Sequence, residues 1–181
     1  MWKFAKNILQ LIISPDNGWT DVAQGSDPKR AGRGVSWFIV LASLSVFVQL
    51  FYSRHVEAVK LFQEMVIVAV SFWATMFLAD FMLRQWLPRI NGGVVDERMT
   101  RLFVCYSVSL LSLQVFISNI LPLTFAILEL WPIYVVVIMW RGMKVLDVPD
   151  NATGKYLIAV IVAFILPSQL LLRGFNSLLL Q

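Results

Sequence analysis

Residues 35–52, 65–83, 102–120, 123–140 and 156–172 form five apolar runs that carry almost no charge. Each is as long as a helix that crosses the roughly 30 Å hydrocarbon layer, which takes about 17–25 residues. The basic residues are divided unevenly by these runs. Lys3, Lys6, Lys29, Arg30 and Arg33 precede the first; Arg84, Arg89, Arg98 and Arg101 flank the link between the second and third; Arg141, Lys144 and Lys155 lie between the fourth and fifth. The other side receives only Arg54, Lys60 and Arg173. Basic residues in short loops stay on the cytoplasmic side, so twelve of the fifteen Lys and Arg predict an N-terminus inside and a C-terminus outside. The expected fold is an all-α integral membrane protein of five transmembrane helices in the cytoplasmic (inner) membrane.

Composition agrees with that class. The chain is 59% hydrophobic, against about 45–50% for a soluble domain, and its mean hydropathy is +0.74. Five spans, their links and a short leading segment use up 181 residues. The expected organisation is therefore a cytoplasmic segment 1–33 and one membrane domain 34–181. The net charge of +4 is spread over three juxtamembrane stretches rather than one patch. Anionic headgroups account for it better than nucleic acid, each such charge near the surface contributing about 1 kcal/mol. Membrane lipids are thus the expected partner, and nucleic acid is not.

A single cysteine, Cys105, and a single histidine, His55, leave no intrachain disulfide and no histidine- or cysteine-based metal site. No zinc motif, phosphate-binding glycine loop or nucleophile elbow is present. Ser107, Ser109 and Ser112 have no histidine in their own run, and such serines usually bond their own helix backbone. Neither an enzyme nor a cofactor is expected.

The first thirteen residues predict a helix lying on the membrane. At 100° per residue, Leu11, Phe4, Ile8, Ile12, Ala5, Leu9, Trp2 and Ile13 fill one apolar arc. Lys6, Gln10, Lys3 and Asn7 fill the rest. Lysines on the polar face, with Trp2, Phe4 and Ile8 opposite, match an interfacial helix; a helix packed on protein is the alternative. Ser14-Pro15 ends it. Asn17-Gly18 reads as a turn, and Trp19 and Val22 then predict a second short helix anchored at the headgroup layer. Gly25-Ser26-Asp27-Pro28 is another break.

Within the runs, Ser71, Thr75 and Ala79 form a small-residue stripe that lets helices approach closely in lipid, with Ala159 and Ala163 a weaker one. Pro132 and Pro167 each displace the carbonyl four residues earlier, Leu128 and Ala163, and predict kinks. Asp80 has Arg84 at i+4, an internal pair near the membrane boundary. Glu129 lies six residues into the fourth run, about 9 Å along a helix. A carboxylate there must face other helices or water. Two readings stay open: a structural contact with Gln114 or Asn119 of the third run, or a proton-handling role along a Glu129–Gln114–Asn119 path.

The amphipathic start, the Pro15…Trp19 step, and Glu129-Leu130-Trp131-Pro132-Ile133-Tyr134 running into Arg141-Gly142-Met143-Lys144-Val145-Leu146-Asp147-Val148-Pro149 resemble the Yip (Ypt-interacting protein) family in a short bacterial-type version. The longer N-terminal segment and the Tyr-Gly-Pro signature of eukaryotic members are absent. The resemblance implies a non-enzymatic multi-span protein that self-associates or binds a membrane partner. The rival expectation is a small transporter or channel component.

Overall fold

The computed structural model describes residues 2–52, 57–92, 96–121 and 130–179, and among them every regular element is a helix. Helices α1 (Trp2–Ile13) and α2 (Pro15–Gly25) form an N-terminal hairpin. Helix α3 (Pro28–Leu44) continues as a 3₁₀ segment, Ser45–Phe51. Then come α4 (Ala58–Asn91), α5 (Glu97–Ile120) and α6 (Trp131–Arg141). After 3₁₀ turns, α7 (Thr153–Val160), a π-helical turn (Ile161–Ile165) and α8 (Leu166–Leu179) run on without a break.

Four of the described helices are long and apolar enough to cross a membrane: Pro28–Phe51, Ala58–Asn91, Glu97–Ile120 and Asp150–Gly174. They contain the second, third and fifth apolar runs and all of the first but Tyr52. The fourth run, 123–140, falls partly outside the described residues. Its described part belongs to α6, whose 11 residues extend only about 16 Å at 1.5 Å per residue. Four candidate spans, rather than five, therefore stand among the described residues. Pro132 lies in the first turn of α6, where a missing N–H is tolerated; Leu128 lies outside the described residues. Pro167 behaves as its chemistry demands. The π-helical turn sits just before it, and the Leu166 N–H reaches back five residues to the Ile161 carbonyl. The strain of a proline within a helix is absorbed there by local rewinding.

Helix α5 is the axis of the bundle. Residues 102–112 are buried without interruption, the signature of a helix enclosed on all sides. It packs against the hairpin, α3, α4 and α6, while α4 packs against α3 and the C-terminal helices. Ser71, Thr75 and Ala79 are completely buried on α4, as a close-approach stripe requires, and Ala159 and Ala163 are buried too. The opposite side of α4 exposes Phe62, Val66, Val70, Phe77 and Phe81, a surface suited to lipid.

One local expectation is revised. Asn17-Gly18 is no turn: both residues lie inside α2. A glycine within a helix is destabilising by roughly 0.5–1 kcal/mol relative to alanine, and here close approach explains it. A Cβ on Gly18 would stand 2.8 Å from both the Cα and the N of Leu11, so α1 and α2 cross backbone to backbone. The breaks at Ser14 and at Ser26-Asp27 are as read. The Asp27 carboxylate caps α3 by accepting the Lys29 N–H at 3.2 Å.

Candidate functional site

The most elaborate polar and aromatic arrangement lies where the N-terminal hairpin enters the bundle. Helix α1 presents three faces. Phe4, Asn7, Ile8 and Leu11 are buried in protein; Trp2, Leu9 and Ile13 are exposed; Lys3 and Lys6 are exposed beside them. The single apolar arc is thus divided, with one side filled by protein and the other left uncovered. Phe4 and Ile8 belong to the first side, which corrects the expectation that they face lipid, because the neighbouring helices reach them first. The Phe4 ring stacks on Tyr106 with centroids 4.5 Å apart and meets Phe38 edge-on at 5.7 Å. It fits because α3 has glycine beneath it: a Cβ on Gly34 would come within 2.6 Å of the ring.

Trp19 is likewise no headgroup anchor. It is 1% exposed, stacks on Phe103 at 4.9 Å and donates its indole N–H to the Ile138 carbonyl of α6 at 2.8 Å. An indole turns inward when a buried acceptor meets its N–H. The aromatic layer continues from Phe103 to Phe164 and Tyr156, joining hairpin, α5 and the C-terminal helices.

At the centre of this layer three polar groups satisfy one another. The Asn7 amide donates to the Tyr106 hydroxyl and to Ser26 Oγ, both at 3.1 Å. Ser26 Oγ and the Tyr106 hydroxyl share a hydrogen bond at 3.0 Å. Buried polar groups left unpaired would cost about 1–3 kcal/mol each, so the triangle specifies one docking register. Arg98 seals the end of α2 by donating to the carbonyls of Ala23 and Ser26 at 3.3 and 2.9 Å, a cation placed at the negative end of the helix dipole.

Beside the triangle a cleft of about 460 Å³ opens between α1 and α3, lined by Lys3, Ser26, Asp27, Arg30, Arg33 and Trp37 among others. Three cations face one carboxylate. The described ion pairs involve Arg84 and Arg141, so Lys3, Arg30 and Arg33 hold no carboxylate within 4 Å among the described residues.

The polar residues singled out inside the spans go separate ways. Arg84 Nε bonds Asp80 at 2.9 Å and its Nη1 reaches Glu97 at 3.3 Å, tying α4 to the start of α5 in a partly exposed cluster. Asn119 donates to Ser45 Oγ at 3.0 Å, holding the far end of α5 to α3. Gln114 instead lines a small cavity of about 180 Å³ with Phe72 of α4 and Ser168 and Gln169 of α8. Five residues apart, the two amides are rotated about 140° from each other on the helix. Glu129 lies outside the described residues. Of the serines, Ser109 bonds the Cys105 carbonyl at 2.8 Å and Ser112 the Ser109 carbonyl at 3.0 Å, their own helix as expected, whereas the buried Ser107 hydroxyl bonds nothing among the described residues.

The docking layer was hidden from the sequence reading by Asn7, which falls on the polar side of the α1 wheel although it is 5% exposed. The usable signal was Tyr106, a phenol in the middle of an apolar run that has to find a hydrogen-bond partner. No family model, no curated protein and no solved structure matches this chain.

Proposed function

We propose that this chain is a five-span, Yip-like protein of the inner membrane that works by helix packing, self-association or the binding of a membrane partner rather than by catalysis. In this reading the N-terminus is cytoplasmic, the C-terminus is outside, and the fourth span runs through 123–140. The observation that carries it is the set of four long apolar helices, packed on one another, among the described residues. Asn119 donates to Ser45 of α3, a helix-to-helix contact of the kind the packing reading expects. The basic residues at the ends of the candidate spans supply the orientation. The exposed side of α1, Trp2, Leu9 and Ile13, is the part left to enter the inner leaflet.

Threading is tested by fusing a periplasm-active reporter after Gln181 and, separately, between Arg89 and Arg98. The first fusion should be active and the second silent. The opposite pattern would invert the topology.

Glu129→Gln separates packing from transport, since it keeps shape and most hydrogen bonding but removes the ionisable proton. A structural Glu129 predicts folding yield and melting temperature in detergent close to wild type, with Glu129→Leu costing more by orphaning its partner. Hydrogen bonds inside membranes average only about 0.6 kcal/mol, so that cost is modest. Proton-coupled flux in liposomes that vanishes with Glu129→Gln would replace the packing reading with the transporter one.

A further inference from the structure

The cleft between α1 and α3 continues into a surface stripe whose chemistry changes with depth. At 100° per residue, Arg30, Arg33, Trp37, Val40, Leu41 and Leu44 all fall within about 100° of arc on α3. Two guanidinium groups come first, on the wall of the cleft. Trp37 follows, 51% exposed, and then exposed Val40, Leu41 and Leu44. From Arg33 to Leu44 the helix rises about 16 Å, close to half of the roughly 30 Å hydrocarbon layer. Cations, an interfacial indole and one leaflet's depth of aliphatic surface therefore stand in the order in which a phospholipid presents phosphate, glycerol ester and acyl chain. Across the cleft Lys3 supplies a third cation from α1. The aromatic contact of Phe4 over Gly34 and the Asn7–Ser26–Tyr106 triangle hold its wall in place.

We propose that this cleft is a headgroup site for an anionic phospholipid, its phosphate held by Lys3, Arg30 and Arg33 and its acyl chain laid along Trp37, Leu41 and Leu44. A phosphate ester is the chemistry recognised. Two features favour a lipid over a free phosphate: the apolar stripe leads directly out of the cleft, and the three cations, which form no ion pair among the described residues, are gathered in a concave site rather than dispersed. The site rests on α3 being a span, part of the reading above, but not on which side of the membrane the cleft faces.

The test uses the full chain in a zwitterionic detergent, titrated with phosphatidylglycerol, phosphatidylcholine, glycerol phosphate or inorganic phosphate and followed by thermal shift and native mass spectrometry. Phosphatidylglycerol should bind saturably and raise the melting temperature, and the other three should not. Removing one headgroup-facing charge should weaken binding about 5-fold and removing two about 25-fold, from the contribution of each basic residue near an anionic surface. Arg30→Gln with Arg33→Gln should therefore lose that affinity, while Lys144→Gln with Lys155→Gln should stay within about 2-fold.

An equal loss in both pairs would reduce the effect to diffuse charge and overturn the proposal. So would equal binding of inorganic phosphate, which would make the ligand a free anion. Should the arginine pair fail to fold, photo-crosslinking of wild type with a headgroup-diazirine phosphatidylglycerol decides. Labels in the peptides bearing Lys3 and residues 30–37 support the site, and labels confined elsewhere refute it. Failure of the lipid test leaves the reporter fusions unaltered, and inverted fusions leave the detergent titration unaltered, so the two readings fail separately.

Discussion

Replacing Trp19 by alanine should release the N-terminal hairpin from the bundle. The indole is 1% exposed, stacks on Phe103, meets Tyr106 edge-on at 6.5 Å and satisfies the Ile138 carbonyl. Large aromatic-to-alanine changes in a packed interior cost about 3–5 kcal/mol, and this one also removes the hydrogen bond that ties α2 to α6. The expected result is a clear fall in the melting temperature in mild detergent, with protease cutting between α2 and α3 where wild type resists. Trp2→Ala is the matched control: its side chain is 85% exposed, so the bundle should melt as wild type. Equal resistance to heat and protease in the Trp19 variant would show that the hairpin is seated by something other than this contact.

Gly18→Val should have an effect of similar kind through the opposite mechanism. The new Cβ would meet the Leu11 backbone at 2.8 Å, and a backbone inside a helix cannot swing away as a side-chain tip can. Overpacking of this sort costs about 1–3 kcal/mol, sometimes more, and a β-branched residue adds stiffness in a helix. The hairpin would be pried open at its crossing, and with it the seat of Phe4 and Asn7. Gly32→Ala reports on the same helix-forming chemistry with no neighbour in the way, since nothing lies within 4 Å of its Cβ position. It should stabilise α3 by about 0.4–1 kcal/mol. If Gly18→Val and Gly32→Ala moved the melting temperature in the same direction, the crossing would not be as close as described.

These two residues also show what was legible in the chain. Hydropathy finds the four candidate spans among the described residues because the membrane imposes one simple demand, length times apolarity, on each segment by itself. Proline at 167 announced a disturbance for an equally local reason, and the π-helical turn is its form. The Asp80–Arg84 pair followed from helix spacing alone. Gly18 and Trp19 were misread because their roles depend on what lies across from them. A glycine after asparagine has the chemistry of a turn, and only the approach of Leu11 makes it a helix contact. A tryptophan next to the membrane boundary has the chemistry of an anchor, and only the Ile138 carbonyl and the Phe103 ring draw it inward.

The hairpin also has a consequence for the order in which the chain is completed. Asn7 bonds a residue 99 positions later, and Trp19 one 119 positions later. At a translation rate of about 5–20 residues per second, the Ile138 carbonyl is made roughly 6–24 s after Trp19. For that interval α2 lacks its hydrogen bond to α6, although the Tyr106 and Phe103 rings of α5 are made sooner. The hairpin is therefore fully seated only after most of the described chain is made, and a chain interrupted before α5 carries α1 and α2 without the Tyr106 and Phe103 rings that receive them.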